Sequence, residues 1–530
     1  MALPIRHYRF ALILALATPG IAGAGLSAPT LKWAYGGCFT SWCQTGWYSS
    51  PVAVAVDGQI AVAAASYDIV LLDGDTGNLK WRAASSGRAW PGVALGDLGG
   101  TGQLALVVGR SGGQVTAYNL DGSVRSGWPV TAFASGEVRS LALADLDGNG
   151  QLQVIVGAAA SISTRQVNVL AANGGVRAGW PARRNGEPGY GAGMYNENLA
   201  IADLDGANGP EIYAPNDTHY STALDRNGNQ ILANAMYGTS SGGGNKTWAE
   251  VGIHVDHAVD LRGYANCATE RRPNFASAAP AIAQLFGERV LVLPGNVYNC
   301  STNPYTDLYY ALWLLRGDRT RWNASGYDWT AIPLQGASGA PLSQDYNVIE
   351  NIAANAVVAD LDGDGVSEFL LPSYDGKLHA WWLDKSEHGQ WPFVIPGAGI
   401  HFASEPVVAD LDNDDQAEVL FTSWGEKSRA EAGKLFMLSS QGTQLFAVDL
   451  PVARGGGWNG GLAAPTLANI DGDGDLEILI NTAHAGAVAY DLPGSSAARL
   501  LWPTGRGSYL RAGVASAASG GDRIFDDGFE

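Results

Sequence analysis

Residues 360–368 read Asp360-Leu-Asp362-Gly-Asp364-Gly-Val366-Ser-Glu368, an acidic nine-residue loop between two short apolar strands, and variants of it recur along the chain. Its best-kept relatives are Asp410-Leu-Asp412-Asn-Asp414-Asp-Gln416-Ala-Glu418 and Asn469-Ile-Asp471-Gly-Asp473-Gly-Asp475-Leu-Glu477. All three place oxygen-bearing side chains at the first, third, fifth and ninth positions. A hard cation such as Ca2+ takes about 6–8 oxygens at roughly 2.3–2.6 Å, and glycine permits the sharp turn between ligands. The carbonyl at position seven, on Val366, Gln416 or Asp475, offers one more oxygen. Carboxylates crowded into so tight a loop repel one another unless a cation neutralises them, so the motif implies metal bound on or after folding. A solvated Asp-Gly turn is the plain alternative, because both residues are common in turns. A single copy would favour that alternative; three well-kept copies favour calcium.

Other copies grade downward. Asp145-Leu-Asp147-Gly-Asn149-Gly-Gln-Leu-Gln153 keeps the first three ligand positions but ends in a neutral amide, and weaker binding is expected there. Asp203-Leu-Asp205-Gly-Ala207-Asn208-Gly-Pro-Glu211 loses the fifth position, with Asn208 as the neighbouring substitute, and its occupancy stays open. Asp97-Leu-Gly99-Gly-Thr101-Gly-Gln-Leu-Ala105 retains the framework with almost none of the carboxylates and reads as a structural turn without metal.

The loop also sets the period of the fold. Residues 356–392, AVVADLDGDGVSEFLLPSYDGKLHAWWLDKSEHGQWP, read as strand, acidic loop, strand, turn, strand, turn, strand. Four short strands per unit predict an all-β fold, a β-propeller of four-stranded blades with the calcium-binding loops between strands. The same register places blade starts near Pro51, Gly92, Ser140, Asn198, Ala279, Asn355, Glu405 and Ala464. That predicts eight blades, or seven if one unit is irregular. The first and fifth units replace the acidic loop with shorter hairpins, at Val52 to Gly58 and Ala281 to Gly287.

A second element, Gly-Trp-Pro, occurs at Gly127 to Pro129 and Gly179 to Pro181, with looser versions at Gln390 to Pro392 and Leu501 to Pro503. Recurrence at equivalent blade positions favours packing between blades over sugar stacking. Leu31-Lys32-Trp33 is similar to the outer-strand sequence Leu79-Lys80-Trp81, which predicts that the N-terminal strand closes the ring.

A repeat search precedes any division of 530 residues by length. The expected layout is a signal peptide at 1–24, an N-terminal segment at 25–50, one propeller over 51–510 with an insertion at about 236–278, and a C-terminal tail at 511–530. Arg6 and Arg9 precede the apolar run Phe10 to Leu16, and Ala22-Gly-Ala24 has the small-residue pattern of a cleavage site. The expected location is therefore secreted, cell-surface or periplasmic. No later stretch approaches the length of a membrane span, so no transmembrane anchor is expected. The formal charge of −19 comes largely from the acidic loops and, with no basic stripe, argues against a nucleic-acid partner. Four cysteines in an exported chain allow three pairings. Cys38 with Cys43 and Cys267 with Cys300 are the most local.

The blades with their Asp-x-Asp-Gly-Asp-Gly-x-x-Glu loops resemble the FG-GAP/VCBS repeats of integrin alpha-subunit propellers and of many secreted bacterial proteins. The resemblance spans about residues 50–505 and implies a propeller and calcium rather than any one activity. It implies as ligands the side chains of Asp360, Asp362, Asp364 and Glu368; of Asp410, Asp412, Asp414 and Glu418; and of Asn469, Asp471, Asp473 and Glu477. The departures in the Asp97, Asp145 and Asp203 loops weaken that implication there.

Sharper chemistry has thinner support. His254, Asp256, His257 and Asp260 in the insertion are a candidate transition-metal set, weighed against ordinary polar packing. Gly238-Thr-Ser240-Ser-Gly242 matches the nucleophile-elbow pattern but lacks the strand and helix that an elbow needs. Arg316-Gly-Asp318 reads as a turn, and Asp73 to Trp81 resembles a single quinoprotein repeat that the other blades do not repeat. Two classes of function remain. One is a non-catalytic extracellular binding or adhesion module for a protein or glycan; the other is a secreted carbohydrate-active enzyme such as a polysaccharide lyase. Binding is favoured, because the carboxylates are committed to loops and no separate carboxylate pair stands out.

Overall fold

The computed structural model describes residues 25–37, 48–159, 165–182, 193–207, 209–266, 269–299, 309–333, 354–399, 401–425, 430–453 and 457–515. The expected signal peptide, Cys38, Cys43, Cys267, Cys300, Asn208 and residues 516–530 lie outside this set. The chain forms eight small antiparallel sheets arranged as a propeller ring, the larger of the two expected counts. In the blade of the Asp360 loop the strands follow in order: Val357–Ala359, Glu368–Pro372, Lys377–Trp381 and Phe393–Val394. Glu368–Pro372 is buried along its whole length, the pattern of a strand covered on both faces by neighbouring blades.

The two blades without acidic loops turn tightly instead. Asp57 and Gly58 have φ of 52° and 78°, and Phe286 and Gly287 have 48° and 86°. Two successive left-handed residues make the hairpin turn whose twist matches that of its strands.

The N-terminal strand closes the ring, as its sequence predicts. Thr30–Tyr35 pairs antiparallel with Ala487–Leu492 and becomes the outer strand of a blade whose other strands lie near residue 480. This pairing aligns Trp33 with an indole series that runs round the ring. Trp33 Nε1 donates to Gly74 O at 2.7 Å, Trp81 to Leu120 O at 2.8 Å, and Trp128 to Ala172 O at 3.1 Å. Trp180 donates to Arg226 O at 3.3 Å, and Trp248 to Gly317 O at 2.9 Å. Trp329 donates to Leu383 O and Trp391 to Ser440 O, both at 2.9 Å. In each case the donor lies at or near the outer edge of one blade, and the acceptor lies just past the third strand of the next. At the remaining joint the Tyr490 hydroxyl donates to Asp449 O at 3.0 Å. The Gly-Trp-Pro repeats are thus part of a longer series of blade clasps. A buried indole with its N–H paired contributes both apolar area and about 1 kcal/mol of net hydrogen bonding.

Trp502 breaks the series. Its Nε1 donates to Glu405 Oε1 at 3.0 Å, because Arg499–Trp502 pairs with the innermost strand Val407–Asp410 and leads the chain into the axis of the ring. Beyond it, Leu467 N donates to Pro503 O, Leu95 N to Tyr509 O, Leu143 N to Leu510 O, Ile201 N to Ala512 O and Ile282 N to Gly513 O, at 2.8–3.0 Å. Ala53 N donates to the Tyr509 hydroxyl at 3.1 Å, and Val357–Ala359 packs on Arg499–Trp502. Innermost strands from all eight blades therefore contact one segment. Residues 511–515, assigned by sequence to a tail, lie within this plug.

The plug is held by buried charge. Arg511 Nε donates to Val93 O at 2.8 Å, and its two amino groups reach Thr504 Oγ1, Gly505 O, Ser50 O and Pro51 O. Arg506 N donates to Glu405 Oε1 at 2.6 Å. Asn355 Nδ2 bridges Glu405 Oε2 at 2.6 Å and Glu197 Oε2 at 3.2 Å. Burial, then the neighbouring Glu405, raises Glu197 to about 7, and burial lowers Arg511 to about 10. Removing one member of a buried ionic group costs about 3–5 kcal/mol, because it strands the charge that remains. Arg511→Met is expected to lose that much stability, read as a lowered urea-unfolding midpoint; a midpoint unchanged from wild type would mean that the plug does not hold the ring.

Candidate functional site

Up-and-down blades sort their connections by face. The loops between first and second strands, which include the acidic loops, lie on one side of the ring. The turns between third and fourth strands share that side, and those between second and third strands lie on the other; the insertion reaches both, since Asn234 meets Asp318 beside the Asp203 loop and Ile253 meets the His219 turn.

On the loop face, four carboxylate groups converge among the described residues: Asp203, Asp205 and Glu211; Asp360, Asp362 and Glu368; Asp410, Asp412 and Glu418; and Asp471, Asp473 and Glu477. Within each group the oxygens lie within 4.8 Å of one another. The construction is the same each time. The first residue folds the loop by accepting from backbone amides further on, as Asp360 does from Gly363 N at 2.8 Å and Gly365 N at 2.9 Å. The ninth residue points back under the loop and accepts from the amide of position two. Leu204 N donates to Glu211 at 3.0 Å, Leu361 N to Glu368 at 2.7 Å, Leu411 N to Glu418 at 2.9 Å and Ile470 N to Glu477 at 2.7 Å. One carboxylate oxygen of each Glu is thereby fixed, and the other is left for a cation.

These carboxylates are held against their own charge. Burial first, then the neighbouring aspartates, pushes Glu368 up to about 9, Glu477 to about 8, and Glu418 and Glu211 to about 7. Asp412 and Asp473 are also raised by burial and adjacent aspartates. Asp362 Oδ1 and Glu477 Oε1 are buried with no hydrogen-bond donor, although Trp382 Nε1 supports Asp362 Oδ2 at 3.0 Å. Buried lone pairs of this kind suit a hard cation.

The other predicted ligands are placed differently. Asp364 and Asp414 lie outside the converging groups and accept from Val366 N and Gln416 N, both at 2.8 Å. Asp475, predicted through its backbone carbonyl, uses its side chain to accept from Gly494 N at 3.1 Å. In the Asp145 loop, Arg177 forks both Asp147 oxygens at 2.7 Å, Asn149 accepts from Gln151 N at 2.9 Å, and Gln153 takes the position-two amide at 2.8 Å. That loop has its cation already, a guanidinium. Asp97 keeps only the folding role, accepting from Gly99 N and Gly102 N, in agreement with a metal-free turn.

Lys32 enters the Asn469 loop from the ring-closing strand. Its Nζ lies 2.5 Å from Asp471 Oδ2, 3.5 Å from Asp75 Oδ1 and 4.0 Å from Glu477 Oε1. Although burial opposes its charge, the bond to Asp471 raises the ammonium above its ordinary value. The Asp410 loop differs again. It opens on a cavity of about 490 Å³ lined by Leu26, Asp412, Gln416, Ser440, Leu445 and Phe446. Here Arg499 reaches Asp410 Oδ2 and Asp415 Oδ1, each at 3.0 Å, from the side of the axis.

In the insertion, the suggested transition-metal set does not assemble. Asp256 caps the short helix His257–Arg262 by accepting from Ala258 N at 2.9 Å. Asp260 is buried between Arg319 at 3.3 Å and Arg321 at 2.8 Å, and accepts from His254 as well. With two guanidiniums on its oxygens it has no lone pair to spare for metal. Ser240 donates to Glu250 Oε1 at 2.7 Å from a Gly/Ser turn, with no elbow geometry. Arg316 is tied to Glu288 at 2.6 Å, and Asp318 accepts from Thr320 N at 3.0 Å, so this tripeptide is a turn.

Residues 349–421, which include the Asp360 and Asp410 loops, match the family model of the FG-GAP-like repeat. No curated protein matches the chain. Solved structures similar to this propeller include BamB from Moraxella catarrhalis, at 13% identity over 84% of this chain and 99% of that one, with a TM-score of 0.42. The quinohemoprotein alcohol dehydrogenase from Comamonas testosteroni is 12% identical over 88% of this chain and 76% of that one, with a TM-score of 0.46. The exotype rhamnogalacturonan lyase YesX is 13% identical over 88% and 75%, with a TM-score of 0.45. None of these likenesses carries an activity to this chain.

The Lys32 contact makes the Asn469 loop the test of how each loop meets its charge. Lys32→Met is expected to raise the calcium bound per chain by one equivalent, measured by equilibrium dialysis with elemental analysis. An unchanged stoichiometry would show that the ammonium does not stand in for metal.

Proposed function

We propose that this chain is a calcium-stabilised extracellular propeller that acts as a non-catalytic binding module for a protein or glycan. The observation that carries the metal half is the convergence of like-charged carboxylates on a buried Glu in each loop, with an undonated buried oxygen on Asp362 in the Asp360 loop. Oxygen ligands in tight turns with glycine are the chemistry of a hard divalent cation. Asp360, Asp362 and Glu368, Asp410, Asp412 and Glu418, and Asp203, Asp205 and Glu211 would hold calcium, which neutralises the loop and ties the first blade strand to the second. The Asn469 loop is filled by Lys32, and the Asp145 loop by Arg177.

The partner half rests on the insertion. The loop face is crowded with carboxylates that answer to cations, and the plug occupies the axis. The 236–278 insertion stands outside both and carries exposed Met236, Leu261 and Tyr264. Ligand recognition is therefore assigned to the insertion. Secretion fits the same picture, since FG-GAP-like repeats are typically extracellular, and no helix among the described residues is long and apolar enough to cross a membrane.

Chelation is expected to lower the melting temperature, and added calcium to restore it. Each loop occupied at a free calcium concentration of about 100 times its Kd contributes about 2.7 kcal/mol. A melting curve unmoved in protein verified as metal-free would sink the calcium assignment. For the partner, a glycan array run beside a polysaccharide-degradation screen is expected to give binding without turnover. Turnover abolished by a single surface substitution would instead make the chain an enzyme.

A further inference from the structure

His254 is fixed on every side but one. Its backbone N–H and its Nδ1 both meet Asp260 Oδ1, at 2.7 Å and 3.1 Å. Its carbonyl accepts from Trp313 Nε1 at 2.9 Å and from an Arg321 amino group at 2.6 Å. The carboxylate at Nδ1 places the ring proton there, so Nε2 is the bare nitrogen. That Nε2 is buried and has no hydrogen-bond partner, in a residue only 1% exposed.

A second imidazole faces it. His219, in the turn between second and third strands of a neighbouring segment, has its ring centroid 5.2 Å from that of His254. The two segments are locked together, since Ile253 N donates to His219 O at 2.8 Å. Between the rings stands Gly252. A Cβ there would lie 3.1 Å from His219 Nε2 and 2.9 Å from His254 Cε1, the carbon next to Nε2. Two imidazole edges thus converge on a space that any side chain at position 252 would fill. Burial, then His254 and Arg272, lowers His219 to about 3, which keeps its ring neutral.

We propose that His219 and His254 form a binding site for a borderline divalent transition cation such as zinc or copper, with water completing its coordination. Neutral imidazole is the usual nitrogen ligand for such ions. A carboxylate on the far nitrogen of a ligating histidine is the arrangement that fixes its tautomer and raises its basicity. The Arg272 charge beside His219 opposes a cation and limits the affinity. Asp260 lies behind His254 and acts as its positioning residue, not as a ligand. The all-oxygen loops select hard ions, so the two kinds of site are separable by metal.

The test uses full-length protein saturated with calcium and stripped of transition metals. Titration with Co2+ is expected to add one equivalent with visible ligand-field bands that Zn2+ abolishes, and Cu2+ to give an electron paramagnetic resonance signal with coupling from two imidazole nitrogens. His219→Ala is expected to lose that equivalent while keeping the wild-type melting temperature in the metal-free state, and Gly252→Ala, whose Cβ presses on both rings, to lose it with a lowered one. His219 is only half-buried, so its variant keeps the test open even where His254→Ala fails to fold. No uptake by the wild type, or uptake unchanged in His219→Ala, overturns the site. Its failure would leave the calcium assignment standing, because the loops are filled throughout.

Discussion

A ring of blades brings the free edge of every innermost strand to one axis, and the amides along those edges need acceptors. An edge amide left dry and unpaired costs about as much as a lost hydrogen bond, and an open row of them invites foreign strands. Here one extended segment, from Arg499 to Gly513, serves the whole circle. Its carbonyls meet Leu95, Leu143, Ile201, Ile282 and Leu467 in turn. Arg506 and Arg511, together with Glu197 and Glu405, make that arrangement specific, because each needs partners that only the closed ring assembles. The blade clasps act at the rim, where each indole fastens one blade to the next, so axis and rim are held by different chemistry.

The acidic loops show one electrostatic problem met in three ways. The loop geometry is set by the first and ninth positions, which bind backbone amides whether or not other carboxylates are present. The charge gathered by the remaining positions then needs a partner. Arg177 supplies it to Asp147, Lys32 to Asp471, and calcium is proposed for the Asp203, Asp360 and Asp410 groups.

Much of the fold was legible because it repeats. The spacing of Asp360, Asp362 and Glu368 recurs with its flanking strands, and the likeness of Lys32-Trp33 to Lys80-Trp81 was enough to place the closing strand. Tryptophans in Gly-Trp-Pro were readable as packing groups, but Trp33, Trp81, Trp248 and Trp329 share the role without the tripeptide. Pro503 to Ala515 was unreadable for the opposite reason. It is a glycine-containing stretch without periodicity, and its structure is dictated by residues as remote as Ser50, Val93, Leu199 and Pro280. The candidate sites divide in the same way. Loop carboxylates are neighbours in sequence, whereas His219 and His254 meet only because two connections cross on one face. Asp260 looked like a ligand until its two arginines, some sixty residues away, were in place.

The closing strand also has a consequence for how the molecule is made. Lys32 and Asp471 are 439 residues apart, and Ala53 and Tyr509 are 456 apart. Open repeat arrays add stability one unit at a time and can begin folding anywhere. This chain cannot complete its last blade or fill its axis until residues near both ends have emerged from the ribosome, so the finished ring forms late and as a unit. Contacts of such long range make folding slow. A nascent chain therefore stays without its closed ring through most of its synthesis.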